Sequence, residues 1–194
     1  MLPRVDRRRH DTLSEMLSRS SDALTAQPDP LSEILEDLRL AGASYGRCEL
    51  TAPWGIDFRP QPEARFHFVV EGACWLRTGK NRPTLLQSGD VVLLPRGTGH
   101  ALSHASRGRT KPLDKLPRQE IGDRTYAIEE GGGGRRTILA CCSVSFEEPA
   151  IHPLLELMPP VLLVRNGATE DPALSVLLDV MAREALHLAV QRAV

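Results

Sequence analysis

The chain has 194 residues, a length that suits one main domain whose core needs no disulfide bonds. Its 24 basic and 25 acidic side chains give a net charge of -1, which excludes a global positive field for binding nucleic acid or an anionic membrane. The four cysteines form no CxxC pair, and no signal segment or apolar run of transmembrane length is evident, so we expect free thiols in a cytoplasmic protein.

The first predicted elements are an extension and a short helix. Residues 1–28 carry few large apolar side chains, and we expect them to be a mobile extension. Asp29 and Pro30 are typical of a helix start, and apolar residues then recur on one helical face. Because Gly42 is a typical helix end, the pattern predicts an amphipathic helix over residues 30–41.

Between residues 44 and 146 the sequence changes to short apolar runs that are separated by turn residues. The candidate strands are YGRCELTA, IDFRP, ARFHFVVEG, CWLRTG, PTLLQSG, DVVLLPRG, GHALSHA and RTILACCSVSF. Short strands with regularly spaced turn residues are typical of an antiparallel barrel or sandwich. Together with the preceding helix, this barrel is predicted to extend over residues 29–165. The polar stretch 106–134 is predicted to be a flexible loop with one turn of structure around Tyr126.

Helical patterns return after the last candidate strand. The run IHPLLELM predicts a short helix, VLLV predicts a short strand, and Asp171 and Pro172 are typical of the start of a last helix. The last helix carries a wide apolar stripe that includes Leu174, Leu177, Leu178, Met181 and Leu188. Because this apolar face lacks an evident cover, we expect residues 166–194 to form a helical segment that mediates a homodimer.

The most specific motif is GDVVLLPRGTGH at residues 89–100. Gly-Asp precedes an apolar strand, and Pro95, Arg96 and Gly97 predict a sharp turn that brings His100 back toward it. The spacing of Gly, Pro, Gly and His resembles the second signature motif of the cupins. That resemblance implies a double-sheet jelly-roll barrel in which His100 points into the bowl.

Further segments extend the resemblance to roughly residues 29–190. They are DPLSEILEDLRLAGASYGRCELTAPWGIDF, FHFVVEGACWL, GDVVLLPRGTGHAL, GGGGRRTILACCSVSF and HPLLELMPPVLLV. Together they resemble the N-terminal cupin domain of AraC-type transcription regulators. The resemblance implies a mainly β cupin fold with an N-terminal helix and C-terminal helices, which senses a small-molecule effector and dimerises without catalysis. Since no helix-turn-helix sequence follows, we expect no specific DNA binding by this chain alone.

The first cupin motif departs from the metal-binding pattern. In metal-binding cupins this motif supplies two histidines and a glutamate ahead of a strand that ends in glycine. With Gly72 as that glycine, the corresponding positions hold Arg59, Gln61 and Arg65. Arginine stays protonated and cannot ligate a metal, so the dioxygenase or isomerase chemistry common among cupins is not expected.

A non-standard metal site is an alternative. Strand alternation and the cupin register imply that His67 faces the interior with His100. Cys141 and Cys142 point to opposite faces of their strand, so one of them faces the interior too. His67, His100 and Cys141 are therefore a candidate zinc site, with Cys74 or Cys142 as substitutes for the thiol. The simpler alternative is that these imidazoles and thiols only pack in the core.

The candidate ligand-binding residues are Arg65, His67, Trp75 and His100. Arg65, together with Arg59, lies near the expected mouth of the bowl and suits a carboxylate effector, whereas an ion pair with Glu63 or Glu71 is the simpler alternative. Trp75 suits the wall of a pocket, whereas packing on a sheet face is its simpler alternative.

Three functions are compatible with these patterns. The first is the sensing and dimerisation domain of an AraC-like regulator. The second is a stand-alone cupin enzyme with a zinc or iron site made of the two histidines and a cysteine. The third is a remnant of a truncated gene with no effector function left.

Overall fold

The computed structural model describes residues 40–147 and 153–166, which lie in one of the two units into which the chain divides, residues 39–194. No helix in these described ranges is long and apolar enough to cross a membrane. The described ranges contain twelve strands, one five-residue helix and one 3-10 turn. In chain order they are β1 (Leu40–Thr51), β2 (Gly55–Phe58), β3 (Ala64–Glu71), β4 (Ala73–Thr78), β5 (Thr84–Gln87), β6 (Val91–Leu94), β7 (His100–Ser103), β8 (Lys111–Pro112), the 3-10 turn (Leu113–Lys115), β9 (Arg118–Gly122), β10 (Thr125–Gly131), β11 (Arg136–Phe146), α1 (Pro153–Leu157) and β12 (Leu162–Val164).

The strands form two sheets. One has seven strands in the order β12-β6-β3-β11-β1-β10-β9, and the other has five in the order β5-β4-β7-β2-β8. Neighbouring strands are antiparallel except for the parallel pairs β1–β10 and β2–β8. The mainly β, double-sheet architecture predicted from the sequence is therefore confirmed. The apolar core draws on both sheets and includes Leu50, Ile56, Val69, Leu76, Leu86, Val92, Leu102 and Leu139.

The motif at residues 89–100 forms β6, a tight turn and the start of β7. Gly97 has a φ of 54°, and a Cβ atom there would collide with the carbonyl oxygen of Gln61. The N–H of Gln61 donates a hydrogen bond to the carbonyl oxygen of Gly97 at 3.1 Å. The turn therefore needs glycine, holds the segment before β3 close, and directs His100 into the second sheet.

The predicted flexible loop over residues 106–134 is wrong. This segment contains β8, the 3-10 turn, β9 and β10, and β10 pairs with β1 from Tyr45 to Thr51. Its polar composition reflects position, since β9 lies at the edge of the larger sheet and is mostly exposed. Polar edge strands are common because they resist pairing with other chains.

The outcome for the predicted helices is mixed. Residues 30–39 of the first predicted helix lie outside the described ranges, but Leu40 and Ala41 belong to β1, so the predicted end of that helix is wrong. Pairing of β1 with β11 outweighs the local helical pattern there. The structure contains the short helix and the short strand predicted after residue 150, as α1 and β12. Residues 1–28 and 167–194 lie outside the described ranges, so the extension and the dimerisation helix stay predictions.

Asp90 joins the segment after β12 to the turn between β5 and β6. Its buried carboxylate accepts hydrogen bonds from the backbone N–H of Gln87 at 2.9 Å, the backbone N–H of Asn166 at 2.9 Å and the guanidinium of Arg165 at 2.7 Å. Burial would raise the pKa of Asp90, but these hydrogen bonds and the charge of Arg165 outweigh it and hold the pKa below its usual value. The ionised carboxylate therefore stabilises this junction.

Asp90→Asn is expected to lower the free energy of unfolding by about 2 kcal/mol, because the amide loses the charge and one acceptor oxygen. The measurement is urea denaturation at neutral pH. Glu71→Gln is the matched control, since Glu71 is an exposed carboxylate that pairs with Arg136, and its replacement should cost less than about 1 kcal/mol. Equal losses in the two variants would contradict the assigned role of Asp90.

Candidate functional site

A cavity of about 410 Å³ lies beside β1, β2, β3, β10 and β11. This volume is within the range of roughly 300 to 1,000 Å³ that is usual for small-molecule sites. Its apolar wall includes Phe58, Leu113, Tyr126 and Ile128. Its charged side chains are Arg59, Arg65, Arg118, Asp57, Glu63 and Asp114.

A hydrogen-bonded row of side chains lies at the inner side of the cavity. β3 places His67 opposite Cys141 of β11, and the Nδ1 atom of His67 is 2.9 Å from the Sγ atom of Cys141. The Nε2 atoms of His67 and His100 are 2.8 Å apart, and the Nδ1 atom of His100 is 2.8 Å from the carbonyl oxygen of Thr98. The structure thus brings together three of the residues that the sequence singled out.

Burial keeps both imidazoles neutral near pH 7. It lowers the pKa of His67 well below 6.5, and the neighbouring His100 and the positive charge of Arg65 lower it further. Burial also lowers the pKa of His100, and the positive charge of Arg65 lowers it further. The hydrogen bond to Thr98 raises it in part, and the resulting pKa is about 4.

The direction of the hydrogen bonds follows from this neutrality. A carbonyl oxygen only accepts, so the proton of His100 lies on Nδ1 and its Nε2 is an acceptor. His67 therefore donates from Nε2 to His100. Its Nδ1 atom then accepts from the thiol of Cys141. Every polar atom of the two rings has a partner, and the arrangement is fixed by the one carbonyl group of Thr98.

The four cysteines differ in their surroundings. The hydrogen bond with Cys48, burial and the nearby Cys48 and Cys74 sulfur atoms raise the pKa of Cys141 well above 9.0. Cys74 is buried in the core, and its burial and Asp90 raise its pKa to about 12. Cys142 lies opposite Phe66, and its thiol is 3.8 Å from the carbonyl oxygen of Ser143. The thiols of Cys74 and Cys141 therefore stay protonated near pH 7, which makes them poor nucleophiles.

Arg65 and Phe58 connect the histidine pair to the cavity. The ring of Phe58 stacks on His100 with a centroid distance of 4.7 Å and an interplanar angle of 6°. The guanidinium of Arg65 lies 5.2 Å from the centroid of the same ring, and its Nη2 atom donates to Gln61. Arg65 is 5% exposed, so this cation is held inside the protein.

The predicted ion pairs of the two motif arginines are not the ones in the structure. Arg59 pairs with Asp114 at 3.9 Å, and Glu71 pairs with Arg136 at 3.2 Å. Within the described ranges, Arg65 forms no ion pair. The charge of Glu63 acts on it only from a distance.

Trp75 does not line this cavity, which corrects its predicted place in a pocket wall. Along β4, Cys74 and Leu76 are buried and Trp75 is half-buried, so alternation places the indole on the other face of the strand. The register sets Trp75 beside Leu85 and Ser103 in the five-stranded sheet. Packing on a sheet face, the simpler alternative, describes its position.

The three candidate zinc ligands do not converge on one point. His67 faces His100 through Nε2 and Cys141 through Nδ1, and one metal ion cannot bind both nitrogens of a single imidazole. Among the residues that the structure describes, no group of three or more His, Cys, Asp or Glu side chains is arranged to hold a metal ion. Zinc binding would require these side chains to rearrange and stays a prediction.

Sequence reasoning missed three contributors to the site. Phe58 and Ile56 lie two residues apart on one face of a short predicted strand, and Cys48 lies in another predicted strand. Neither pattern shows which inward side chains contact each other. Tyr126 lies in the segment predicted to be a loop, where the alternation in TYAIE was the available signal.

The chain matches a family model described as cupin over residues 29–191, which extends past the predicted boundary at 165. It is 28% identical over 124 residues to the HTH-type transcriptional regulator MtrA of Neisseria gonorrhoeae, covering 63% of this chain and 40% of that protein. It is 27% identical over 168 residues to a Streptomyces antibioticus protein described as an AraC-like transcription regulator, covering 82% of this chain and 52% of that protein.

The chain thus spans about half the length or less of these relatives. Among solved structures it is similar to ToxT of Vibrio cholerae with a bound unsaturated fatty acid, at 12% identity and a TM-score of 0.39. That similarity covers 73% of this chain and 46% of ToxT.

The buried histidine pair makes the stability depend on pH. Because the pKa of His100 is about 4 in the folded chain against 6.5 as its ordinary value, the unfolded chain binds more protons between these values. The free energy of unfolding therefore falls as the pH is lowered, by about 2 kcal/mol for this one group between pH 7 and pH 5. Urea denaturation of wild type and His100→Gln at the two pH values measures this, and the variant should lose less stability. Equal losses would contradict the assignment.

Metal analysis separates the hydrogen-bonded arrangement from a zinc site. Because the thiol and both imidazoles already satisfy one another, we expect untagged protein to retain well below one zinc ion per chain. Mass spectrometry of the purified protein measures the metal content, and thermal unfolding with added zinc measures any stabilisation. About one zinc ion per chain, lost in Cys141→Ser but kept in Cys142→Ser, would instead establish the zinc site.

Proposed function

The chain belongs to the cupin family, as an N-terminal cupin domain of the AraC-type regulators, and we propose that it senses a small-molecule effector. The observation that carries the proposal is the cavity of about 410 Å³, where apolar side chains meet the buried guanidinium of Arg65 and the neutral imidazole of His67, which is hydrogen-bonded to His100. Small-molecule sites typically combine apolar walls with fixed polar groups, and this cavity contains both kinds of lining.

The proposal assigns binding rather than catalysis to this cavity. Both imidazoles are engaged in a closed row of hydrogen bonds, and their lowered pKa values disfavour a role as general base near neutral pH. The positions of the usual metal ligands hold Arg59, Gln61 and Arg65, all of which line the cavity. The metal-dependent enzyme is the second candidate, and the metal analysis separates it from the sensor.

We further propose that the domain acts as a homodimer in the cytoplasm. The apolar stripe of the predicted last helix supports the dimer, and the four free thiols support the location. Effector binding then favours one of two subunit arrangements, which changes how the regulator presents its DNA-binding units. DNA recognition is not assigned to the described ranges, where the one helix has five residues.

Filling the cavity tests the sensing function. Gly46 lines the cavity, and a Cβ atom there would lie 3.7 Å from the Cβ atom of Cys141, an ordinary contact. Gly46→Leu should therefore fold and fill part of the space. A metabolite library is screened by thermal unfolding, and at least one compound should raise the Tm by about 2 °C or more, with about 10-fold weaker binding to the variant.

Gly122→Leu is the matched control. Gly122 is an exposed strand glycine whose added Cβ atom would lie 3.7 Å from Thr125, so this variant should bind like wild type. Sedimentation of the full chain with and without the compound should show a dimer. A library without any stabilising compound, or one that binds Gly46→Leu as tightly as wild type, would contradict the sensing function. A monomer in every sample would contradict the dimer alone.

A further inference from the structure

Arg65 presents a buried positive charge to the cavity without an acidic partner. It is 5% exposed and lines the cavity. One of its nitrogens donates to Gln61, while its Nε atom has no hydrogen-bond partner, and the described residues provide no ion pair for it. A buried cation is unfavourable unless an anion or several acceptors compensate it. The folded chain therefore holds a guanidinium that borders the cavity and whose hydrogen-bond donors are only partly used.

The other charges of the cavity are already engaged or are acidic. Arg59 pairs with Asp114 at 3.9 Å, and the guanidinium of Arg118 lies 5.7 Å from the ring centroid of Tyr126. Burial lowers the pKa of Arg65, and the charge of Glu63 opposes this only in part. Asp57 also lines the cavity. The three basic and three acidic side chains sum to zero charge, so the site as a whole does not attract a multiply charged ion.

The surroundings of the guanidinium fix its orientation. One face of Arg65 lies over the ring of Phe58, and that ring is stacked on His100. A guanidinium with a covered face keeps the N–H groups at its edge, which match the two oxygens of a carboxylate. The apolar side chains that line the same cavity include Phe58, Tyr126 and Ile128.

We infer that the effector is a small organic monocarboxylate whose carboxylate binds the edge of Arg65 and whose apolar body packs against Phe58, Tyr126 and Ile128. The inference rests on the proposed sensing function and adds the chemical class of the effector. A phosphate dianion is disfavoured, because Asp57, Glu63 and Asp114 line the same cavity and repel a second negative charge.

Calorimetric titration of the full chain tests this inference. The probes are acetate, hexanoate, decanoate, benzoate and 1-naphthoate, each beside its neutral primary amide, together with inorganic phosphate. At least one carboxylate should bind about 10-fold or more tightly than its amide, since a hydrogen bond to a charged partner gives a difference of that order. Arg65→Gln should weaken that carboxylate about 10-fold or more and leave the amide within about 3-fold.

Arg82→Gln is the matched control, because Arg82 is an exposed arginine that does not line the cavity. This variant should bind the carboxylate within about 3-fold of wild type. The Tm of Arg65→Gln should not fall, because the substitution removes a buried charge without an anionic partner, whereas a structural role would lower it. Arg65→Lys keeps the positive charge but loses the planar arrangement of donors, so its affinity for the carboxylate should lie between those of wild type and Arg65→Gln. If Arg65→Gln does not fold, Arg65→Lys still tests the inference, because its affinity should be lower than that of wild type.

The outcomes distinguish the effector class from the sensing function. Amides that bind as well as carboxylates, tighter binding of phosphate, or an effect of Arg82→Gln as large as that of the Arg65 variants would overturn the inference and leave the sensing function intact. If no probe binds, the inference is overturned. The sensing function fails only if, in addition, the metabolite library contains no compound that binds wild type more tightly than Gly46→Leu.

Discussion

The register of β3 between β6 and β11 is the constraint on which the site depends. Its pairing sets Cys141 opposite His67 and Ser143 opposite Arg65, while β6 sets Val92 opposite His67 on the other side. A slip of one residue would turn every side chain of β3 to the opposite face of the sheet. Because two neighbouring strands fix this register, the imidazole and the guanidinium are held inside although both are polar.

Polar side chains inside an apolar core need partners, and the two inward groups of β3 differ in this respect. His67 is satisfied on both ring nitrogens by other residues of the chain. The Nε atom of Arg65 has no hydrogen-bond partner, although the guanidinium lies among core side chains. Buried groups that a fold leaves incompletely satisfied are expected at functional sites, where a ligand completes them. This difference is the reason why we assign a structural role to the histidine pair and a ligand-binding role to Arg65.

Local patterns predicted a large part of the fold. All eight candidate strands overlap strands of the structure, because alternation and turn residues are local signals. The site was predictable in part, since the motif turn and strand alternation point His67 and His100 inward. Tyr126 escaped prediction because β10 is held by parallel pairing with β1, a contact between residues about eighty positions apart. Which ring nitrogen faces which partner depends on side-chain rotation, which no sequence pattern encodes.

Arg65 adds to the electrostatic preference of the interior. Burial is the largest cause of the lowered pKa of His67 and His100, and the positive charge of Arg65 lowers both further, so it disfavours an additional positive charge at either imidazole. The same field disfavours a divalent cation at those nitrogens and favours an anion beside the guanidinium. In this chain the position of the cupin glutamate holds Arg65, so a negatively charged metal ligand is replaced by a fixed cation. Under the proposed function, the charge of Arg65 favours an acid over a metal ion in this cavity.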